Sequence, residues 1–252
     1  MLLIRVLPWL TALLAFGATQ YQWIYPLTYP VPLIAWFVCF FLAILAIRWG
    51  KVSPRATFEK MTPAIFAALS AIMAVLMAQY RIQRLGLTLM FVLLSWMTLE
   101  LFFYYAYDPK RYPVNALSHV NLALVPLIVF YTTCGLAGLQ LFLQTPWWLP
   151  VGTFVALGGV LFALTEHPVA DSAHRLRWRV LGMWIGAQAA LLLMFLPVTV
   201  SVRGALLALL FFVPLRVRRY AYAPRPSARV SWLEATIASG LFLFLILTAQ
   251  WV

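Results

Sequence analysis

Residues 85–119 read LGLTLMFVLLSWMTLELFFYYAYDPKRYPVNALSH, and this pattern decides the fold class. Residues 85–107 form one apolar run. It is long enough to cross a bilayer as a helix, since a crossing takes about 20 apolar residues at about 1.5 Å each. Its one formal charge is Glu100, two helical turns before the run ends. The polar hinge Asp108-Pro109-Lys110-Arg111-Tyr112-Pro113 then turns the chain back, and Ser118-His119 open the next apolar run. A carboxylate inside hydrocarbon costs about 3 kcal/mol on insertion scales, which makes Glu100 the most informative residue of the stretch.

Composition extends that reading to the whole chain. The 252 residues are 65% hydrophobic and only 10% charged, with a mean hydropathy of +0.94. Too little polar surface is present to cover a water-soluble domain of this length, so the excess apolar surface faces lipid. Eighteen Lys and Arg oppose six Asp and Glu, for a net charge of +12. The basic residues sit in short runs between apolar segments, and no basic domain stands apart. That pattern excludes nucleic acid as the partner and points to a cytoplasmic membrane face, where anionic headgroups favour Lys and Arg.

Outward from the central stretch, further spans are expected over residues 6–18, 31–47, 62–80, 117–144, 147–165, 180–200, 204–215 and 232–251. The first run lacks the small-x-small pattern of a cleavage site, because Phe16 stands two before Ala18, so it reads as a retained span. The loop after it holds no charge but carries Trp23 and three tyrosines, as an outer aromatic belt does. Arg48, Lys51, Arg55 and Lys60 make a basic turn. The third span carries Ala64, Ala67, Ala71, Ala74 and Ala78 on one stripe, and the seventh places Gly182 and Gly186 at GxxxG spacing with Ala190 a turn further on. Small residues at such spacing let two helix backbones approach closely. The fifth span contains Pro126 and Tyr131-Thr132-Thr133-Cys134-Gly135 and is expected to be broken there.

The expected architecture is therefore all-α: a polytopic transmembrane bundle of about nine spans, or eight if residues 204–215 fail to cross, with short loops and one integral domain over residues 1–252. With nine crossings and a cytoplasmic N-terminus, only Arg81, Arg84 and Arg203 lie outside, and the other fifteen of the eighteen basic residues lie inside. The positive-inside rule selects that orientation, and with it a multi-pass protein of the cell membrane.

Candidate functional residues are few. Helical spacing sets Trp96, Phe103 and Tyr104 one turn from Glu100 and Tyr107 two turns away, so that Tyr104 offers a hydroxyl to the carboxyl group. In the preferred, structural reading Gln188 or Asn121 bonds Glu100 from another span, or the side chain snorkels toward the cytoplasmic edge; the functional reading is a proton- or cation-coupled site. Glu166, His167, Asp171 and His174 form the one chemically dense cluster, and His119 would have to join it from elsewhere. Two imidazoles and a carboxylate are a plausible set for a divalent metal, but Asp171 equally suits the first turn of a helix, where an acid complements the dipole. The solvated helix start is the preferred reading, so no metal or cofactor is expected. Cys39 and Cys134 form no CxxC and read as small residues of packed helices.

HExxH, GxSxG and P-loop signatures are all missing from the sequence. Three functions remain open. The first is a non-enzymatic membrane subunit or assembly protein, contacting membrane lipids and a membrane-protein partner. The second is a small-solute or lipid transporter using Glu100 in a broken-helix cavity. The third is an intramembrane enzyme built on the cytoplasmic cluster from Glu166 to His174.

Overall fold

Ser53 illustrates how local chemistry sets the helix boundaries. Its hydroxyl oxygen accepts the Ala56 amide at 3.3 Å, and Pro54 follows it as the first helical residue. A serine cap with proline behind it satisfies a donor the helix start leaves open and needs no N–H where none would be used. The third helix therefore begins at Pro54 rather than at residue 62, and Arg55 and Lys60 lie on it rather than in a basic turn.

The computed structural model describes residues 2–25, 30–77, 81–113, 116–164, 172–222 and 228–248. Among the described residues there are nine α-helices and no strand: α1 (Leu2–Ile24), α2 (Val31–Arg48), α3 (Pro54–Met77), α4 (Arg81–Tyr107), α5 (Ala116–Leu143), α6 (Trp148–Leu164), α7 (Ser172–Phe195), α8 (Val200–Tyr222) and α9 (Ala228–Thr248). Five of them contain a stretch long and apolar enough to cross a membrane, namely Val31–Arg48, Pro54–Leu76, Arg81–Tyr107, Ala116–Leu141 and Val200–Val217. Trp148–Leu164 and Trp232–Thr248 are shorter apolar helices.

Two expectations about the helices need correction. The fifth helix is not broken: α5 continues as one α-helix from Ala116 to Leu143 with Pro126 inside it. A proline removes one backbone donor and crowds the preceding turn, yet apolar helices tolerate it where neighbours support the rest of the ladder. The eighth helix is longer than residues 204–215, because Arg216, Arg218 and Arg219 continue it and do not end it. Arginine is a good helix former, and its long stem keeps the charge near water.

The chain divides into two compact units, Met1–Asn121 and Leu122–Val252, with the boundary inside α5. In the first unit α1 packs on α2 and α4, and α3 on α2 and α4. Trp36 of α2 sits at the middle of this arrangement, 2% exposed. Its indole Nε1 donates to the Thr11 carbonyl of α1 at 3.2 Å, and its ring lies 4.7 Å from that of Phe91 on α4. One side chain thus ties three helices, filling space and using its polar atom within the core. Ala64, Ala67, Ala71 and Ala74 are all buried, so the small-residue stripe is a packing face; its last member, Ala78, lies outside the described residues.

The second unit is built on the α6–α7 pair. A Cβ added at Gly158 would run into the Gly182 carbonyl, and one added at Gly186 would run into the Phe154 carbonyl. One at Gly182 would stand 2.7 Å from the Phe162 Cβ. Three glycines therefore bring two backbones into direct contact, as the GxxxG spacing predicts. Phe154 and Phe162 of α6 each lie 6.4 Å from the ring of Phe211 on α8, and all three are fully buried. Buried hydroxyls close on their own helices: Ser95 donates to the Phe91 carbonyl at 2.7 Å and Thr133 to that of Val129 at 2.7 Å. Where no water is available, this satisfies the hydroxyl without a partner helix.

Candidate functional site

On α4, Leu87, Phe91, Leu94, Thr98 and Phe102 recur at intervals of three and four and are buried. The opposite stripe, Leu85, Leu89, Leu93 and Met97, is exposed, from 61% at Leu89 to 39% at Met97. Trp96 and Glu100 lie at the border of these faces, half-buried and one turn apart. The Trp96 ring rests against Trp9 of α1, centroid to centroid 5.2 Å. Phe103 then stacks on Tyr107 at 5.1 Å and meets Tyr104 edge-on at 6.0 Å, so an aromatic collar follows the carboxylate toward the helix end.

Two polar atoms at this border are left unsatisfied. Glu100 Oε2 and Trp96 Nε1 are both buried, and neither has a hydrogen-bond partner among the described residues, including each other. One is an acceptor and the other a donor. Leaving a buried polar group unpaired costs about 1–3 kcal/mol, and more for a charged one.

Within the first unit, the expected partners of Glu100 do not bond its buried carboxylate oxygen. Asn121 donates its Nδ2 to the Lys60 carbonyl at 2.8 Å. Gln188 is exposed on α7, on the same outward side as Trp184 and Leu191. Tyr104 is half-buried against Phe103, and its hydroxyl does not bond the buried carboxylate oxygen. His119 is exposed near the start of α5. Glu166, His167 and Asp171 lie outside the described residues, as does the side chain of His174, whose backbone belongs to α7. Among the described residues no group of three metal-binding side chains converges.

Asn121 belongs to a second polar group, at the end of α4, whose other members the sequence reading passed over. The Lys60 ammonium lies 4.5 Å from the Tyr105 ring centre, and Tyr105 meets Tyr112 edge-on at 5.5 Å. The Tyr112 hydroxyl accepts the Leu117 amide at 2.9 Å, closing the first turn of α5. Burial of that hydroxyl raises its pKa above the ordinary 10.0, outweighing the opposite effect of the Leu117 N–H. The visible signal was a lysine in the first turns of one helix and a tyrosine-rich end on the next. These contacts join three helix ends, and the Asn121 Oδ1 beside them is buried and unpaired.

No known protein family matches the chain, and neither does any curated protein or solved structure.

Proposed function

We propose that this chain is a non-catalytic membrane subunit or assembly protein that receives a helix of another membrane protein along α4. The observation that carries the reading is the unpaired Glu100 carboxylate oxygen beside the unpaired Trp96 indole, bordering the exposed stripe from Leu89 to Met97. In hydrocarbon, helices associate through close packing and interhelical hydrogen bonds, so a polar pair on the rim of an apolar stripe is suited to a partner helix that offers a donor and an acceptor. The exposed Gln188 on α7 offers a second such contact. In this reading all nine helices cross the cell membrane, the N-terminus is cytoplasmic and the basic ends contact anionic headgroups.

A photoactivatable residue at Met97 tests the proposal. It should crosslink in native membranes to one defined chain, and Glu100→Ala should abolish that crosslink. Crosslinking to lipid alone at Met97 would contradict the proposal.

The same carboxylate supports a second reading, transport coupled to a proton or cation, because an ionisable group in a span marks many ion pathways. Glu100→Gln separates the two. It keeps shape and hydrogen-bonding capacity but cannot change charge, so it spares assembly and would abolish coupled transport.

A further inference from the structure

Arg203 stands in the first turn of α8, just after the end of α7. Its Nη2 donates to the carbonyls of Leu196 at 2.6 Å and Val198 at 3.3 Å, groups that the end of α7 leaves without helical partners. The side chain is thereby held in place, but its charge is not neutralised. Its Nε is buried without a hydrogen-bond partner, and Arg203 makes no ion pair among the described residues.

This guanidinium lines a cavity of about 290 Å³ whose other walls are apolar: Leu196, Leu206, Leu207 and Leu210 on one side, Phe242 and Ile246 of α9 on the other. The volume is near the lower end for small-molecule sites, about 300 Å³. Along α8 the residues Arg203, Leu206, Leu207 and Leu210 follow at one-turn spacing, so the charge sits at one end of the wall and the apolar depth runs toward Leu210. Phe242 is 47% exposed, which opens the wall to the outside of the helices, the side that faces lipid in the proposed membrane placement. A polar metabolite would leave these walls unmatched, and a hydrocarbon alone would leave the guanidinium unmatched. A ligand with both parts matches both.

We propose that this cavity holds one acyl chain of an anionic phospholipid, with the headgroup phosphate on Arg203. The site is separate from the basic helix ends, since Arg203 and Arg216 are thirteen positions apart, about 20 Å along α8.

The experiment titrates the purified full chain in detergent with dioleoyl phosphatidylglycerol and with dioleoyl phosphatidylcholine, reading bound lipid by native mass spectrometry and protection by thermal shift. The wild type should bind phosphatidylglycerol about fivefold more tightly, the factor expected of one basic contact. Arg203→Gln should remove the preference and Arg203→Lys should retain it. Ile246→Trp fills the cavity without touching Arg203 or its carbonyls and should weaken both lipids. Equal affinities in the wild type, or a preference that survives Arg203→Gln, would overturn the proposal. So would an Ile246→Trp chain that binds phosphatidylglycerol as the wild type does. Should Arg203→Gln fail to fold, the Ile246→Trp result decides alone.

Discussion

The Arg216 guanidinium holds the Glu234 carboxylate with two hydrogen bonds, Nη2 to Oε1 at 2.6 Å and Nε to Oε2 at 3.2 Å. The pair joins the end of α8 to the beginning of α9. Farther from it, Leu210 and Leu206 share the cavity wall with Phe242 and Ile246, so residue numbers fall along one helix as they rise along the other. That register makes α8 and α9 an antiparallel hairpin. The side chains are 33% and 31% exposed, and solvent discounts the attraction accordingly. A double-mutant cycle of Arg216→Gln and Glu234→Gln should give a coupling of about 0.5–1 kcal/mol in detergent unfolding. A coupling indistinguishable from zero would mean the bidentate geometry does not persist in solution.

The α6–α7 glycines should be the least replaceable small residues in the second unit. Gly158→Ala and Gly186→Ala each push a methyl into a facing backbone carbonyl, which neither helix can yield without separating. Each should lower stability by about 1–3 kcal/mol or more. Gly86→Ala and Gly152→Ala meet nothing within 4 Å and should be neutral or stabilising by up to about 1 kcal/mol. Thermal unfolding of the four variants, measured side by side, checks the contrast.

Much of this fold was legible in the sequence, and the reasons are local. Apolar run length marked the nine helices found among the described residues, because a long apolar segment satisfies its backbone polar groups most simply within a helix. The Gly182–Gly186 spacing and the alanine stripe each marked a close-packed face. The boundaries were less legible: Ser53-Pro54 is a helix-start signature, but the basic residues behind it masked the helix. Pro126 misled because a proline weakens a helix without necessarily ending it. The Arg216–Glu234 pair and the Arg203 cavity depend on which helices stand side by side, and that information lies in three-dimensional packing and not in spacing.

Tyr112 predicts a pH dependence. Burial raises its pKa above the ordinary 10.0, so at neutral pH the hydroxyl is protonated and available to accept the Leu117 amide. Tyr112→Phe should cost about 1 kcal/mol there by leaving that amide unpaired. Below the unfolded-state value both folded and unfolded chains keep the proton, and the contribution is complete. As pH rises above about 10 the unfolded chain loses its proton while the folded chain retains it, and wild-type stability falls. The gap between wild type and Phe variant should therefore narrow with rising pH, as equilibrium unfolding from pH 7 to 11 would record. A constant gap would count against a buried hydroxyl.

The proposed orientation predicts the accessibility of the helix ends. In a background lacking Cys39 and Cys134, single cysteines at Arg55 and Arg229 should resist an impermeant thiol reagent in intact cells, and one at Trp147 should react. Labelling at Arg229 from outside would break the nine-crossing topology.

Assembly at Trp96 and Glu100 is the central claim, and native gel mobility of the chain extracted from its own membranes in mild detergent tests it most directly. Because neither buried atom has a partner among the described residues, Trp96→Phe combined with Glu100→Ala should leave the purified protein about as stable as the wild type. The wild type should migrate in a complex larger than its own 28.6 kDa, and the double variant should migrate alone. A double variant that stays in the same complex, or a wild type that runs as a monomer, would contradict it.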